Sequence, residues 1–402
     1  MPATDLLTPP GEAYEKVFED VLDRALHSIP RRDQRYWGEL YARSLLTVRG
    51  KKTIRALANG GGNAVEQSLY QFITKSPWTC GPVRREVARM LSDHLNPRAW
   101  VVQPLVITKI GQHSVGVERQ WVPHLGRLVN CQQAVGVWMV SERGSAPVDW
   151  RLALPECWTD HPEQRRRASI PDHVGAAPPH QCALDSIERM TREWRLPDRP
   201  VVMDLTETDP YPVCAELNAR RVPFVVRINP RSRWMSMETR RRPGDTQPGG
   251  ARAAVVTLAH NCMPVEWYDA ASDTVRATFV GASPVLVRRR TEPSTLVERQ
   301  ELVLMGAWNS RDRTTPGEFW LTNLPRAQFG TVYRTAMLAK SVERDMVEVS
   351  EPLGARDFAG RSFRGWHHHM TMVSVAHAVT ALTRALYEHE SAGLSRIAVP
   401  AA

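Results

Sequence analysis

From residue 11 to about 95, apolar positions recur at helical spacing. In GEAYEKVFEDVLDRALHSI, residues Tyr14, Val17, Phe18, Val21, Leu22 and Leu26 share one face, which predicts an amphipathic helix. RYWGELYARSLLT, AVEQSLYQFIT and PVRREVARMLSDHL repeat the pattern, and the breaks NGGGN and SPWTCGP carry Gly and Pro. Residues 1–95 read as a helical N-terminal domain.

The periodicity then changes. WVVQPLVI (100–107), CQQAVGVWMV (131–140), PVVMDL (200–205) and FVVRIN (224–229) are short runs rich in β-branched residues and predict strands. ALDSIERMTREW and PVCAELNARR read as helices among them, and 158–180 as a polar, Pro-rich loop. Strands that first meander and then alternate with helices predict an α/β fold, a mixed sheet with flanking helices. Residues 231–315 read as a β-rich insertion in which VVTLAH, TVRATFV, SPVLVRRR and LVLMGAW are successive strands. Helices return at 331–350 and 366–390, where Trp366, Met370, Val373, Ala376, Val379, Leu382 and Leu386 make an apolar stripe suited to core packing. The expected segments are 1–95 (helical), 96–230 (first part of the core), 231–315 (insertion) and 316–402 (C-terminal helical part of the core).

Composition narrows the function classes. Apolar residues make up 42% and charged residues 24% of the 402, as in globular proteins. No apolar run approaches the roughly 20 residues of a membrane helix, and the N-terminus lacks the pattern of a signal peptide. A cytoplasmic, nucleoid-associated protein without membrane contact is expected. Six scattered cysteines without a CxxC pair argue against zinc sites and disulfide frameworks. The net charge of +9 favours phosphate backbones, and Arg31, Arg32, Arg49, Lys51, Lys52 and Arg55 form the densest basic cluster of the helical domain. Arg-rich runs at 165–167, 239–242 and 288–290 suit either DNA phosphates or solvated loops. His367, His368 and His369 are consecutive, so on a helix they point about 100° apart and cannot all face one metal ion.

Four segments carry a family resemblance. They are RRDQRYWGELYARSLL with QFITKSPW; GQHSVGVERQWVPHLGRLVNCQQAVGVWMV followed by PVDWRLALPECW; PVVMDLTETDPYPVCAELNARRVPFVV; and FWLTNLP with SVERDMVEVSEPLGARDFAGRSFRGWHHHMT. In this order they resemble insertion-sequence transposases of the DDE type, whose core is RNase-H-like. The resemblance implies phosphoryl transfer on DNA, with two divalent metals held by three carboxylates.

On that resemblance Asp204 occupies the second acid position and Glu343 the third. Asp209 follows Asp204 at the family's spacing, although Glu207-Thr208 replaces the usual Tyr-Gly. The first acid is missing. Its place falls on Gln103 and Pro104, and no Asp or Glu occurs from His94 to Val117. The Tyr, Arg and Lys that flank the catalytic Glu in relatives fall on Ala336, Ala339 and Ser350. Residues 96–230 and 316–402 are expected to form one RNase-H-like domain in which Pro104, Asp204 and Glu343 converge. Trp308 and Trp320 suit core positions better than the base-holding role of related enzymes.

The sequence thus reads as a domesticated, inactive transposase-like protein that binds double-stranded DNA, as a transcription regulator for example. Asp204 and Glu343 are vestigial, no cofactor is expected although the family uses Mg²⁺, and a homodimer is open. The DNA contacts are assigned to Arg31, Arg32, Arg49, Lys51, Lys52, Arg55, Arg361 and Arg364. The rivals are an active transposase that draws a carboxylate from Glu118 or Asp209, an enzyme of another class reusing the cleft, and a decaying gene product.

Overall fold

The computed structural model describes residues 12–122, 125–229, 235–240, 246–248, 258–259, 262–270, 272–289, 299–308 and 316–397. Its helices are α1 (Glu12–Leu26), α2 (Arg32–Thr47), α3 (Ile54–Leu57), α4 (Gly62–Thr74), α5 (Cys80–Leu95), α6 (Glu156–Thr159), α7 (Pro162–Ala168), α8 (Pro179–Glu188), α9 (Pro210–Ala219), α10 (Phe329–Asp345) and α11 (Phe363–Ile397). The strands are β1 (Ala99–Thr108), β2 (Glu118–Val122), β3 (Arg127–Ser141), β4 (Gly144–Ala153), β5 (Val201–Asp204), β6 (Phe224–Ile228), β7 (Met235–Arg240), β8 (Thr246–Pro248), β9 (Met263–Asp269), β10 (Thr274–Arg289), β11 (Arg299–Trp308) and β12 (Glu318–Thr322). Among the described residues no helix is long and apolar enough to cross a membrane.

Two compact units are present. The first comprises Met1–Pro97, Gln103–Leu196 and Val342–Ala402, and the second Arg98–Val102 and Pro197–Ser341. The N-terminal helices do not stand alone, because α1, α2, α4 and α5 pack on α11 and share its core.

In the first unit β3 pairs antiparallel with β2 and with β4, and α8 packs on β3 and β4. Helix α11 runs through the middle. From Gly365 to Ala385 every residue except His367 and Arg384 is buried, so the helix is enclosed on all sides rather than along one stripe. Leu386, the last member of the expected stripe, is exposed. Such a helix must bring partners for its own polar side chains. The Ser374 hydroxyl accepts from the Trp150 indole at 3.0 Å. His377 Nε2 donates to the Ser145 carbonyl at 2.9 Å while Nδ1 accepts from the Ser350 hydroxyl at 2.9 Å.

In the second unit the first residues of β1 pair parallel with β5, and β5 pairs parallel with β6. The order continues antiparallel through β12, β11 and β10, and β10 also pairs with β7 and β9. Parallel and antiparallel pairs thus make the mixed sheet expected.

Two expectations change here. TVRATFV and SPVLVRRR are one continuous strand, β10, rather than two. Gly281 between them makes no turn; a Cβ there would lie 2.6 Å from the Leu258 carbonyl oxygen, so the glycine admits that backbone. The loop expected at 158–180 contains α7, and Arg165 ties it down by donating to the carbonyls of Thr159, Pro171, Asp172 and Val174. VVTLAH lies largely outside the described residues.

Candidate functional site

Asp204 is the last residue of β5, where the apolar run Val201–Met203 is buried and the aspartate emerges exposed. Its Oδ1 accepts from the Thr206 amide at 2.8 Å and the Thr206 hydroxyl at 2.6 Å. Its Oδ2 faces Arg227 of β6, the register partner of Asp204, at 3.3 Å. The same guanidinium reaches Glu318 at 3.4 Å. Arg227 escaped the sequence reading because one arginine in FVVRIN looks like ordinary strand alternation; only the parallel register shows which acid it meets.

Asp209 caps α9, its carboxylate accepting from the Tyr211 amide at 3.0 Å, and it ion-pairs with Arg289 at 3.4 Å. It is therefore already committed as a cap.

Gln103 and Pro104 lie on β1, with Gln103 part-buried and Pro104 exposed. Glu343 is exposed near the end of α10, while the buried acid of that segment is Asp345 two residues later. Asp345 accepts from the Ser145 hydroxyl at 2.7 Å and pairs with Arg344 at 2.9 Å. Of the residues at the family's flanking positions, Ala336 and Ser350 are buried, and Ser350 serves His377 as described.

These residues do not fit a pair of divalent metals. Such ions need several anionic oxygens free to bind them. Here one position offers a proline beside a neutral amide, and the Asp204 carboxylate is turned to a guanidinium. Among the described residues no three His, Cys, Asp or Glu side chains gather as a metal-holding group.

Two of the three consecutive histidines, His368 and His369, are structural. His369 donates from Nε2 to the Gly354 carbonyl at 2.7 Å and accepts at Nδ1 from the Tyr41 hydroxyl at 2.8 Å. His368 stacks on Trp78 at 3.8 Å between ring centres, its nitrogens facing the carbonyls of Ile73 and Trp78. Burial pushes the pKa of His368, His369 and His377 down to about 4 each.

The assigned DNA contacts sort by exposure. Arg32, Arg49, Lys51, Arg55, Arg361 and Arg364 are exposed, as is Arg31, which pairs with Asp33 at 2.7 Å. Lys52 is the buried member of the set. It is 4% exposed, its ammonium donates to the Val48 carbonyl, and its backbone amide donates to Asp357 at 2.7 Å. Gly354 closes over it with φ +91, and a Cβ there would lie 2.6 Å from Lys52 Cγ. A lysine so covered cannot reach a DNA phosphate. In the Arg-rich runs, residues 241, 242 and 290 lie outside the described residues, Arg165 is the loop staple, and Arg166 and Arg167 are exposed. Trp308 and Trp320 are buried at 1% and 4% exposure, as core residues.

A cluster of buried charge lies elsewhere, in the first unit. Asp149 of β4 is fully buried and pairs with Arg84 of α5 at 2.7 Å and Arg189 at 3.4 Å. Arg84 also donates to the Thr371 hydroxyl and the Trp150 carbonyl, each at 2.7 Å. Burial alone would raise the Asp149 pKa, but the guanidinium groups of Arg189, Arg84 and Arg151 outweigh it and hold the carboxyl below its usual range.

Residues 24–292, about two thirds of the chain, match the family described as DDE superfamily endonuclease. The match includes Gln103, Pro104 and Asp204 and stops before Glu343. No curated protein matches the chain. The mixed sheet with flanking helices agrees with the RNase-H-like fold of such nucleases. The chain is a member of the DDE superfamily endonuclease family.

Proposed function

We propose that this protein is a catalytically inactive, transposase-like protein that binds double-stranded DNA, acting as a transcription regulator. The observation that carries the reading is the state of the acid positions. The first is Gln103-Pro104 with no carboxylate from residue 94 to 117, and the second, Asp204, is neutralised by Arg227. Losing one charge that would stabilise a metal or a scissile phosphate typically removes orders of magnitude in rate. Binding needs neither acid. It needs basic surface, which Arg32, Arg49, Lys51 and Arg55 of the first unit supply.

Two assays test the reading. In a gel shift across a salt series, duplex DNA is bound at low salt and released steeply as salt rises. In a supercoiled-plasmid assay with Mn²⁺, the plasmid stays intact. Efficient metal-dependent nicking by the unaltered chain would overturn inactivity and favour a displaced carboxylate. Absence of any duplex binding at low salt would overturn the DNA-binding reading.

A further inference from the structure

The first unit carries a cavity of about 1020 Å³ that is open to solvent, at the upper end of ordinary small-molecule sites. Five arginines line it (Arg84, Arg85, Arg151, Arg189 and Arg364), against two acids, Asp185 and Glu193. Even with the buried Asp149 counted behind Arg84, positive charge is in excess.

The unmatched polar atoms there are all donors. Arg85 Nε, Arg151 Nε and His367 Nε2 are buried and have no hydrogen-bond partner. His367 Nδ1 lies 3.4 Å from Arg84 Nη2, which can only donate, so Nδ1 accepts and Nε2 carries the proton. Burial first, and then the surrounding guanidinium groups, keep this histidine neutral. Helix α5 adds its N-terminus. Thr79 makes no side-chain cap, and Cys80 and Gly81 of the first turn line the cavity. Uncapped first-turn amides and the positive end of a helix favour phosphate. Trp78 and Phe363 supply an apolar wall beside these donors.

We infer that this cavity binds the phosphate group of a small phosphorylated molecule of nucleotide size. A set of unmatched donors from three separate elements, gathered with excess positive charge in one cavity, calls for an acceptor-rich anion. Of the residues assigned to DNA contact, Arg364 lines the cavity and Arg31, Arg32, Arg49, Lys51, Lys52, Arg55 and Arg361 do not, so the two readings share that one arginine and competition by duplex separates them.

The test is calorimetry on the full chain with inorganic phosphate, adenosine monophosphate and adenosine, and with duplex DNA as competitor. The expected result is saturable binding of the monophosphate, weaker binding of phosphate, none of adenosine, and no displacement by duplex. Arg85→Gln should weaken the monophosphate tenfold or more. Arg364→Gln, at an exposed rim position, should weaken it several-fold with folding intact. Lys51→Gln should leave it unchanged. No saturable binding of either anion, or monophosphate binding by both arginine variants equal to that of the unaltered chain, would overturn the proposal. So would displacement by duplex, which would assign the site to the DNA backbone instead.

Discussion

Arg227 stands directly across the parallel register from Asp204, and its guanidinium lies 3.3 Å from the carboxylate. A cation supplied by the protein thus sits on the acid that the family resemblance assigns to the second position. Restoring an acid at the first position does not remove that cation. Pro104→Asp alone is expected to leave plasmid nicking at background with Mn²⁺, and Arg227→Gln alone likewise. Nicking by the Pro104→Asp single variant would mean that a metal displaces Arg227 unaided.

Adjacent lysines should behave oppositely. Neutralising exposed Lys51 to Gln should lower the salt dependence of duplex binding by about one unit of slope, if it contacts one phosphate. Lys52→Gln should leave the slope alone and lower thermal stability, because its ammonium and stem are buried under Gly354. A slope change for Lys52→Gln comparable to that for Lys51→Gln would contradict the buried assignment.

Asp149→Asn leaves two guanidinium groups facing a neutral amide inside the first unit. Breaking a buried pair by removing one partner costs about 3–5 kcal/mol, which denaturant unfolding would register. The pH dependence follows from the sign of the shift. The folded pKa lies below the unfolded one, so the contribution is complete above the ordinary carboxylate range and is lost as pH falls through the depressed value. The Asn variant should lack that part of the acid sensitivity.

Acid should act earlier through the histidines. His368, His369 and His377 have folded pKa values of about 4, against about 6.5 in the unfolded chain. The unfolded state therefore takes up protons that the folded state refuses. Their stabilisation is intact above pH ~6.5 and drains as pH falls toward 4, by up to ~3 kcal/mol per histidine. Unfolding midpoints measured between pH 7.5 and 4.5 should fall steadily, and His377→Gln should flatten the slope.

Helix α1 announces itself because one face meets water and leaves a helical period in the residues, and strands β1, β3 and β5 because they are short, largely buried apolar runs rich in β-branched residues. The reading weakens where buried side chains are polar or the partner is distant. Helix α11 looks like a stripe on a surface helix because its buried Thr371, Ser374, His377 and Thr380 read as polar positions, although each is hydrogen-bonded within the unit or buried in it. Arg84 and Asp149, 65 residues apart, have no local signature at all. In the candidate site, the lack of any Asp or Glu from His94 to Val117 is legible from the residues alone. The Arg227 guanidinium that faces Asp204 is not, since it depends on strand register.

The enclosure of α11 also orders events during synthesis. The first unit is threaded from three stretches of chain, and the helix that fills its centre comes from the last of them. Until roughly residue 385 has left the ribosome, α1, α2, α4, α5 and β4 have an empty slot where their shared apolar surface belongs. The helices α1, α2, α4 and α5, made well before α11, must wait for it before they can close. A nascent chain halted short of α11 would present that slot to chaperones, whereas one released just beyond it would not.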